Sequence, residues 1–441
     1  MNILSKLKNL NRLYLIAGLV IVIIFIPLLL STFQRSGPNN EDTVRLNVID
    51  QQIKNGQKAI LDSPKDANKY AQLCQSYLQK VRETADTSLY AECDNLLAKA
   101  FKIDDLSSDV IAAQAAVAYG KHDFNKGLSL AMQAQQINPN VVSYYGLIGD
   151  GQIELGQYDE AVASIQTMVN KKPELGSYNR VAYLRELNGD IDGAKRALLA
   201  AISAGSSFPE NVAFSQVELG KLYLRSDLVK AKDYFEQALM TVPDFPSANE
   251  GLGKVAFAQK DYPEAIGKFE TAFKSLALAQ YASALADTYK ASGDDKKAEQ
   301  QAFLAELAFE QSSSGGVNND YELATYYAQQ NIKTDKAISL SRKTVSERPN
   351  FFSIDTIAWS LYRAKKYPEA QVAINQALVK GSKSPSVVFH AGMIAEKLGQ
   401  KEQAVGYLRE AFKQDKYFLE THFSLADYTS GQASLARLSK T

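Results

Sequence analysis

Histidine, cysteine and proline are scarce in this 441-residue chain, at 3, 2 and 12 residues, and there is a single tryptophan. So few His and Cys leave little material for a zinc cluster, a disulfide-dense scaffold or a histidine-based active site. Excess charge of one sign is missing too, since 49 Lys plus Arg balance 49 Asp plus Glu. That neutrality argues against a nucleic-acid partner held by bulk charge. The phosphate-cradling, dinucleotide, metalloprotease and redox patterns GxxxxGK[ST], GxGxxG, HExxH and CxxC are all absent. An enzyme is therefore the less expected class, and no cofactor or metal is implied. What remains is 46% hydrophobic and 22% charged, well away from the composition of disordered chains.

The one long apolar run is Leu13 to Leu30, 18 residues without a charge. As a helix at about 1.5 Å per residue it spans roughly 27 Å, enough for a bilayer. Lys6, Lys8 and Arg12 precede it, whereas Arg35 and then Glu41 and Asp42 follow. The positive-inside rule accordingly expects residues 1–12 in the cytoplasm, an anchor at 13–31 and the rest of the chain outside the cytoplasm, in a cell envelope. A cleaved signal peptide shares the basic start and apolar core, but the exit sequence Leu28 to Gly37 shows no A-x-A-like site and no lipidated Cys. Residues 32–66 are expected to be a linker: a polar joint at Ser36 to Asn40, then a spacer helix over Glu41 to Leu61, where apolar residues recur at near-helical spacing.

Proline, although sparse, is regular. Pro139, Pro173, Pro209 and Pro243 are 34, 36 and 34 residues apart, and Pro349 and Pro385 are 36 apart. Each follows a stretch of helical periodicity that a proline would end, because it lacks an N–H and clashes with the preceding turn. Between them lie a second helical stretch and a polar turn. In Val142 to Glu174, Tyr145, Ile148 and Gly149 form one apolar face, Gly156 turns the chain, and Ala161, Ile165 and Met168 form the facing stripe.

On these residues the chain resembles the tetratricopeptide repeat family, an array of two-helix units of about 34 residues. Pro246 to Leu278 carries Leu252, Gly253, Ala265, Phe269 and Ala272 at the family's positions; Phe351 to Ser384 carries Ile357, Ala358, Leu361, Tyr367, Ala370 and Ala377; Pro385 to Phe418 carries Gly392, Gly399, Ala404, Leu408 and Ala411. Units starting at Ser108 and Leu175 fit the same register, and weaker ones fill the gaps, with about seven extra residues near Arg82 to Ser88, expected to form an extended turn, and a loop at Ser312 to Gly316. The resemblance implies an all-α, right-handed superhelical solenoid of about ten helix pairs over residues 67–418. Residues 419–441, with Phe423, Leu425, Ala426 and Leu435, are expected to form a capping helix.

The resemblance also implies where a partner binds: the concave surface lined by the first helix of each unit. Carried over position by position, this surface holds Tyr119, Asp150, Glu154, Asn179, Tyr183 and Glu186, then Lys221, Arg225, Lys254, Phe257 and Lys290, then Tyr321, Asp355, Trp359, Tyr362, Arg363, Phe389 and Met393. An acidic stretch is thus expected before a basic one, with an aromatic stretch after, a pattern suited to an extended protein or peptide segment. The family's Lys and Asn clamp for a C-terminal carboxylate is not matched. Cys74 and Cys93 fall at the small-residue positions where the two helices of the first unit meet; in an oxidising compartment they form a disulfide, and otherwise they are two buried thiols. His122 falls in a turn, His390 on a first helix and His422 in the cap, none with a catalytic partner at a recognised spacing, so packing or surface roles are expected. The expected function is a membrane-anchored scaffold for protein partners or, alternatively, an accessory subunit of an envelope machine for secretion, pilus or cell-wall assembly.

Overall fold

The computed structural model describes residues 40–440 except 207, 380–382 and 418–424. The expected anchor, its basic flank, His422 and Phe423 lie outside the described residues. Among the described residues no helix is long and apolar enough to cross a membrane. The chain divides into two compact units, Met1–Asp50 and Gln51–Thr441. The described part of the first is the opening of helix α1, Asn40–Asp62, which runs on into the second.

The second unit is a succession of antiparallel pairs: α2 (Ala67–Thr84) with α3 (Leu89–Ile103), α4 (Ser108–Gly120) with α5 (Phe124–Ile137), α6 (Val142–Glu154) with α7 (Tyr158–Lys171), α8 (Leu175–Leu187) with α9 (Ile191–Ala204), and α10 (Pro209–Leu224) with α11 (Leu228–Thr241). Five more follow: α12 (Pro246–Ala258) with α13 (Tyr262–Ser275), α14 (Ala279–Ser292) with α15 (Asp295–Ser314), α16 (Asp320–Gln330) with α17 (Thr334–Glu347), α18 (Phe351–Arg363) with α19 (Tyr367–Val379), and α20 (Pro385–Lys397) with α21 (Lys401–Gln414). Helix α22, Leu425–Leu438, comes last. The described residues contain no strand.

Proline opens α10, α12 and α20 at a first-turn position, where the missing N–H has no helical acceptor to lose. Five of the second helices start on a side-chain cap: Asp123, Asp190, Asp227, Asp261 and Asp294 each accept a backbone N–H of the first turn, worth roughly 1 kcal/mol apiece. Inside each pair, small residues let the helices meet. A Cβ on Gly253 would stand 2.7 Å from Phe269, a ring with no exposed surface.

Two local expectations change. The extra residues at Arg82 to Ser88 do not form an extended turn from Arg82; α2 runs on to Thr84 and ends in a left-handed Ala85. The loop expected at Ser312 to Gly316 begins only at Gly315, because α15 continues through Ser314.

Candidate functional site

The first helices of the units line the inner face of the solenoid, but that face is not an open groove. Each early inter-helix turn meets a late inter-unit loop. Lys121 O accepts Asn318 N at 3.0 Å, and His122 Nδ1 lies 2.9 Å from Asn318 O, 196 residues away. One unit on, Asn350 Nδ2 donates to Glu154 O at 3.1 Å, and Phe351 N donates to the Tyr158 hydroxyl at 3.2 Å. Further along, Lys416 N donates to Arg225 O at 2.8 Å. The near-constant offset means that units about six apart are stacked edge to edge. Ile153, Ile165, Leu184 and Leu187 from early units share one core with Phe351, Ile354, Ile357 and Leu361.

Arg348 is the hinge pin of this seam. Its Nε donates to Glu154 Oε2 at 2.6 Å, and its guanidinium lies 4.6 Å from the Phe124 ring centroid and 4.7 Å from that of Tyr321. Burial pushes the Tyr321 hydroxyl up to about 12 despite the opposing Arg348 charge, so Tyr321 stays a neutral hydrogen-bonding group at physiological pH.

The expected alternation of acidic and basic stretches is cancelled in space. Asp150 is held by Arg180 through two bonds of 2.8 and 2.6 Å, Glu154 by Arg348, and Glu186 by a buried Arg225. Lys221 pairs with Glu218 at 2.9 Å. Lys254 pairs with Glu250 at 3.1 Å, both nearly buried. Burial pushes the Glu250 carboxyl up, but Lys254 and Lys221 outweigh it and hold it below the ordinary range. Tyr183 and Lys290 are exposed, whereas Tyr119 is half-buried with its hydroxyl on Leu147 O at 2.9 Å.

The aromatic stretch is largely interior. Phe257, Trp359 and Phe389 are buried, which corrects their expected place on an accessible surface. Trp359 stacks on Tyr362 at 4.5 Å and on His390 at 4.0 Å between centroids. His390 has a carboxylate partner after all: its Nδ1 lies 2.8 Å from Asp355 Oδ1. The two residues are 35 apart on neighbouring first helices, a spacing that no linear motif records.

Between the stacked edges lies a cavity of about 250 Å³ lined by Glu186, Arg225, Tyr321, Asp355, Trp359 and His390. A larger space of about 1170 Å³ runs along the inner face past Arg82, Tyr90, Lys221, Glu250, Lys254 and Glu322. The small cavity offers cationic, anionic and aromatic walls together, so it suits a compact polar group rather than a greasy one. Among the described residues no cluster of three or more His, Cys, Asp or Glu is placed to hold a metal ion. In the first unit Cys74 and Cys93 are bonded through their sulfurs, Cα atoms 4.9 Å apart.

Arg180, Glu250 and Arg348 were not singled out by the sequence. Arg348 sits in a loop beside Pro349, outside the repeat positions assigned to binding, and only its neighbour's helix-stopping role is visible there.

This architecture is an α-solenoid of stacked two-helix units. A tetratricopeptide repeat family model matches residues 217–275 and 356–417 of the chain. No curated protein sequence matches it significantly. Among solved structures it is similar to PilF of Pseudomonas aeruginosa, at 14% identity over 48% of this chain and 96% of that one, TM-score 0.39. PilW, a widely conserved type IV pilus biogenesis factor, is similar at 15% identity over 47% and 97%, TM-score 0.39. BtubC from P. vanneervenii is similar at 20% identity over 47% and 93%, TM-score 0.35.

Proposed function

We propose that this chain is a membrane-tethered, non-enzymatic scaffold that holds a protein or peptide partner on the inner face of its solenoid. One observation carries the reading: Glu186, Arg225, Tyr321 and Trp359, drawn from units far apart in sequence, line the same cavity. Residues assigned to partner binding converge there because the solenoid stacks on itself. The paired charges leave recognition to hydrogen bonds and aromatic contacts, which discriminate by fit rather than by bulk field. The charge-free run at Leu13 to Leu30 supports the tether, and the bonded Cys74 and Cys93 suit an oxidising, extracytoplasmic side.

The test is site-specific photocrosslinking in native membranes. A photoreactive residue replaces Tyr183 or Tyr321 on the inner face, or exposed Val229 and Met240 on second helices. Adducts from the inner positions and none from the outer ones support the reading. Adducts from Val229 or Met240 alone overturn it.

A further inference from the structure

Helix α22 is held by more than the apolar contacts of a cap. A helix that only shields the last apolar face of a repeat array buries apolar side chains against it. Among the residues of α22 whose side chains are described, the buried ones are Asp427, Gly431 and Ser434, at helical spacing along one face. Arg363 Nη2 donates to both carboxylate oxygens of Asp427, at 2.6 and 2.7 Å. The same guanidinium donates to Ala328 O and Gln329 O at 2.8 and 3.1 Å and lies 4.6 Å over the Trp359 ring. Gly431 lies so close on Phe389 that a Cβ there would collide with the ring. Ser434 Oγ donates to Glu396 Oε2 at 2.9 Å, and Arg437 pairs with the same carboxylate. Tyr428 and the half-buried Leu435 complete the contact on the aromatic cluster of Trp359, Phe389 and Phe412.

Arg363 and Phe389, two residues expected to receive a partner, are thus held by the chain's own last helix. The pair formed by Arg363 and Asp427 is nearly buried, with side-chain exposures of 14% and 6%. Such a pair adds little net stability but strongly selects the group that fits it. The helix is also weak by itself: Thr429, Ser430, Gly431 and Ser434 all lower helix propensity. Its order comes from the site it occupies.

We propose that α22 is a self-ligand. It fills a docking face for a partner's helix, and a partner helix with a carboxylate in its first turn and small residues four and seven positions later takes its place. This deepens the scaffold reading and rests on it, adding a specific partner chemistry and an intramolecular competitor.

The test uses the full chain and, as probe, a fluorescent synthetic peptide with the sequence of residues 425–440. Asp427→Asn weakens the resident helix at its charge, and Gly431→Ala expels it by collision with Phe389. Each variant should bind the peptide at least about tenfold more tightly than the unaltered chain, as release of an intramolecular competitor requires, and a peptide carrying Asn in place of its Asp should not bind. Hydrogen exchange should show faster exchange of the α22 amides in both variants. Released α22 amides without peptide binding in either variant, or equal binding by the unaltered chain, overturn the proposal. Crosslinking from Tyr183 and Tyr321 does not depend on α22, so failure of the scaffold reading would show there and not in this assay.

Discussion

Arg348 and Glu154 lie 194 residues apart in sequence and meet at 2.6 Å, with side-chain exposures of 15% and 24%. Neither residue is engaged only by the other. Asn350 Nδ2 also reaches Glu154 Oε2 at 3.2 Å, and Glu322 stands 3.7 Å from Arg348. Their bond ties the stacked edges of the solenoid, so it closes a contact that local repeat packing does not supply. Arg348→Ala leaves the Glu154 carboxylate desolvated without its cation, and about 2–3 kcal/mol of stability is expected to be lost. In a double-mutant cycle with Glu154→Gln, urea denaturation should give a coupling of about 1 kcal/mol or more. Additive losses would mean that the seam does not depend on this pair.

Gly253 tests the packing inside a unit. Its would-be Cβ stands 2.7 Å from Phe269, and Phe269 is fully enclosed in the core that joins α10 through α15. The ring has nowhere to move, so Gly253→Ala is expected to cost about 1–3 kcal/mol through overpacking, despite the better helix propensity of Ala. Gly267, on the outer side of α13 with open space around it, is the control: Gly267→Ala should stabilise by about 0.5–1 kcal/mol. A thermal melt of each variant separates the two.

How much of this was legible in the sequence follows from the range of the contacts involved. Pro139, Pro173, Pro243 and Pro349 lie just past helix ends as their spacing suggested, whereas Pro209 and Pro385 open α10 and α20 instead, and Gly156 and Gly189 take left-handed turns, with φ of 71° and 77°. These are local signals repeated every unit. The seam is different, because Lys121 with Asn318 and Glu154 with Asn350 involve turn and loop residues with no periodic signature. Charge segregation failed for the same reason: Asp150 and Arg180 sit 30 residues apart and look unrelated in sequence, yet neighbouring first helices set them face to face. Register assigned Trp359 to an accessible inner surface, but it is buried against Tyr362, Phe389 and His390, because register says nothing of what else lies on that surface.

Cys74 and Cys93 are both fully buried, 19 residues apart, in the first unit of the array. Closing a loop of that length restricts the unfolded chain and is worth about 3 kcal/mol. Intact-mass measurement of freshly isolated, non-reduced protein should show no alkylatable thiol, and reductant should lower the unfolding midpoint in urea. Two thiols that alkylate without reductant after unfolding would establish the buried-thiol alternative instead.

Asp287 sets an acid-side dependence of stability. It sits on α14, half-buried, with Lys290 one turn further along the same helix. From α16, Gln330 Nε2 donates to both its oxygens at 3.3 Å, and the negative charge of Asp427 on α22 also acts on it. Burial is the largest influence and raises its pKa to about 7; Gln330 and Lys290 oppose the rise, and Asp427 adds to it. The unfolded chain ionises at about 3.9, so between about pH 4 and pH 7 the folded chain binds more protons than the unfolded one. This contribution is therefore fully present at low pH and is lost as pH rises to about 7, with a slope of at most about 1.4 kcal/mol per pH unit. Asp287→Asn removes the titrating group and keeps the shape. Measured by urea unfolding at pH 5, 6, 7 and 8, stability of the unaltered chain relative to this variant should fall towards pH 7 and then level off. Parallel curves would mean that Asp287 is solvated well enough to ionise normally.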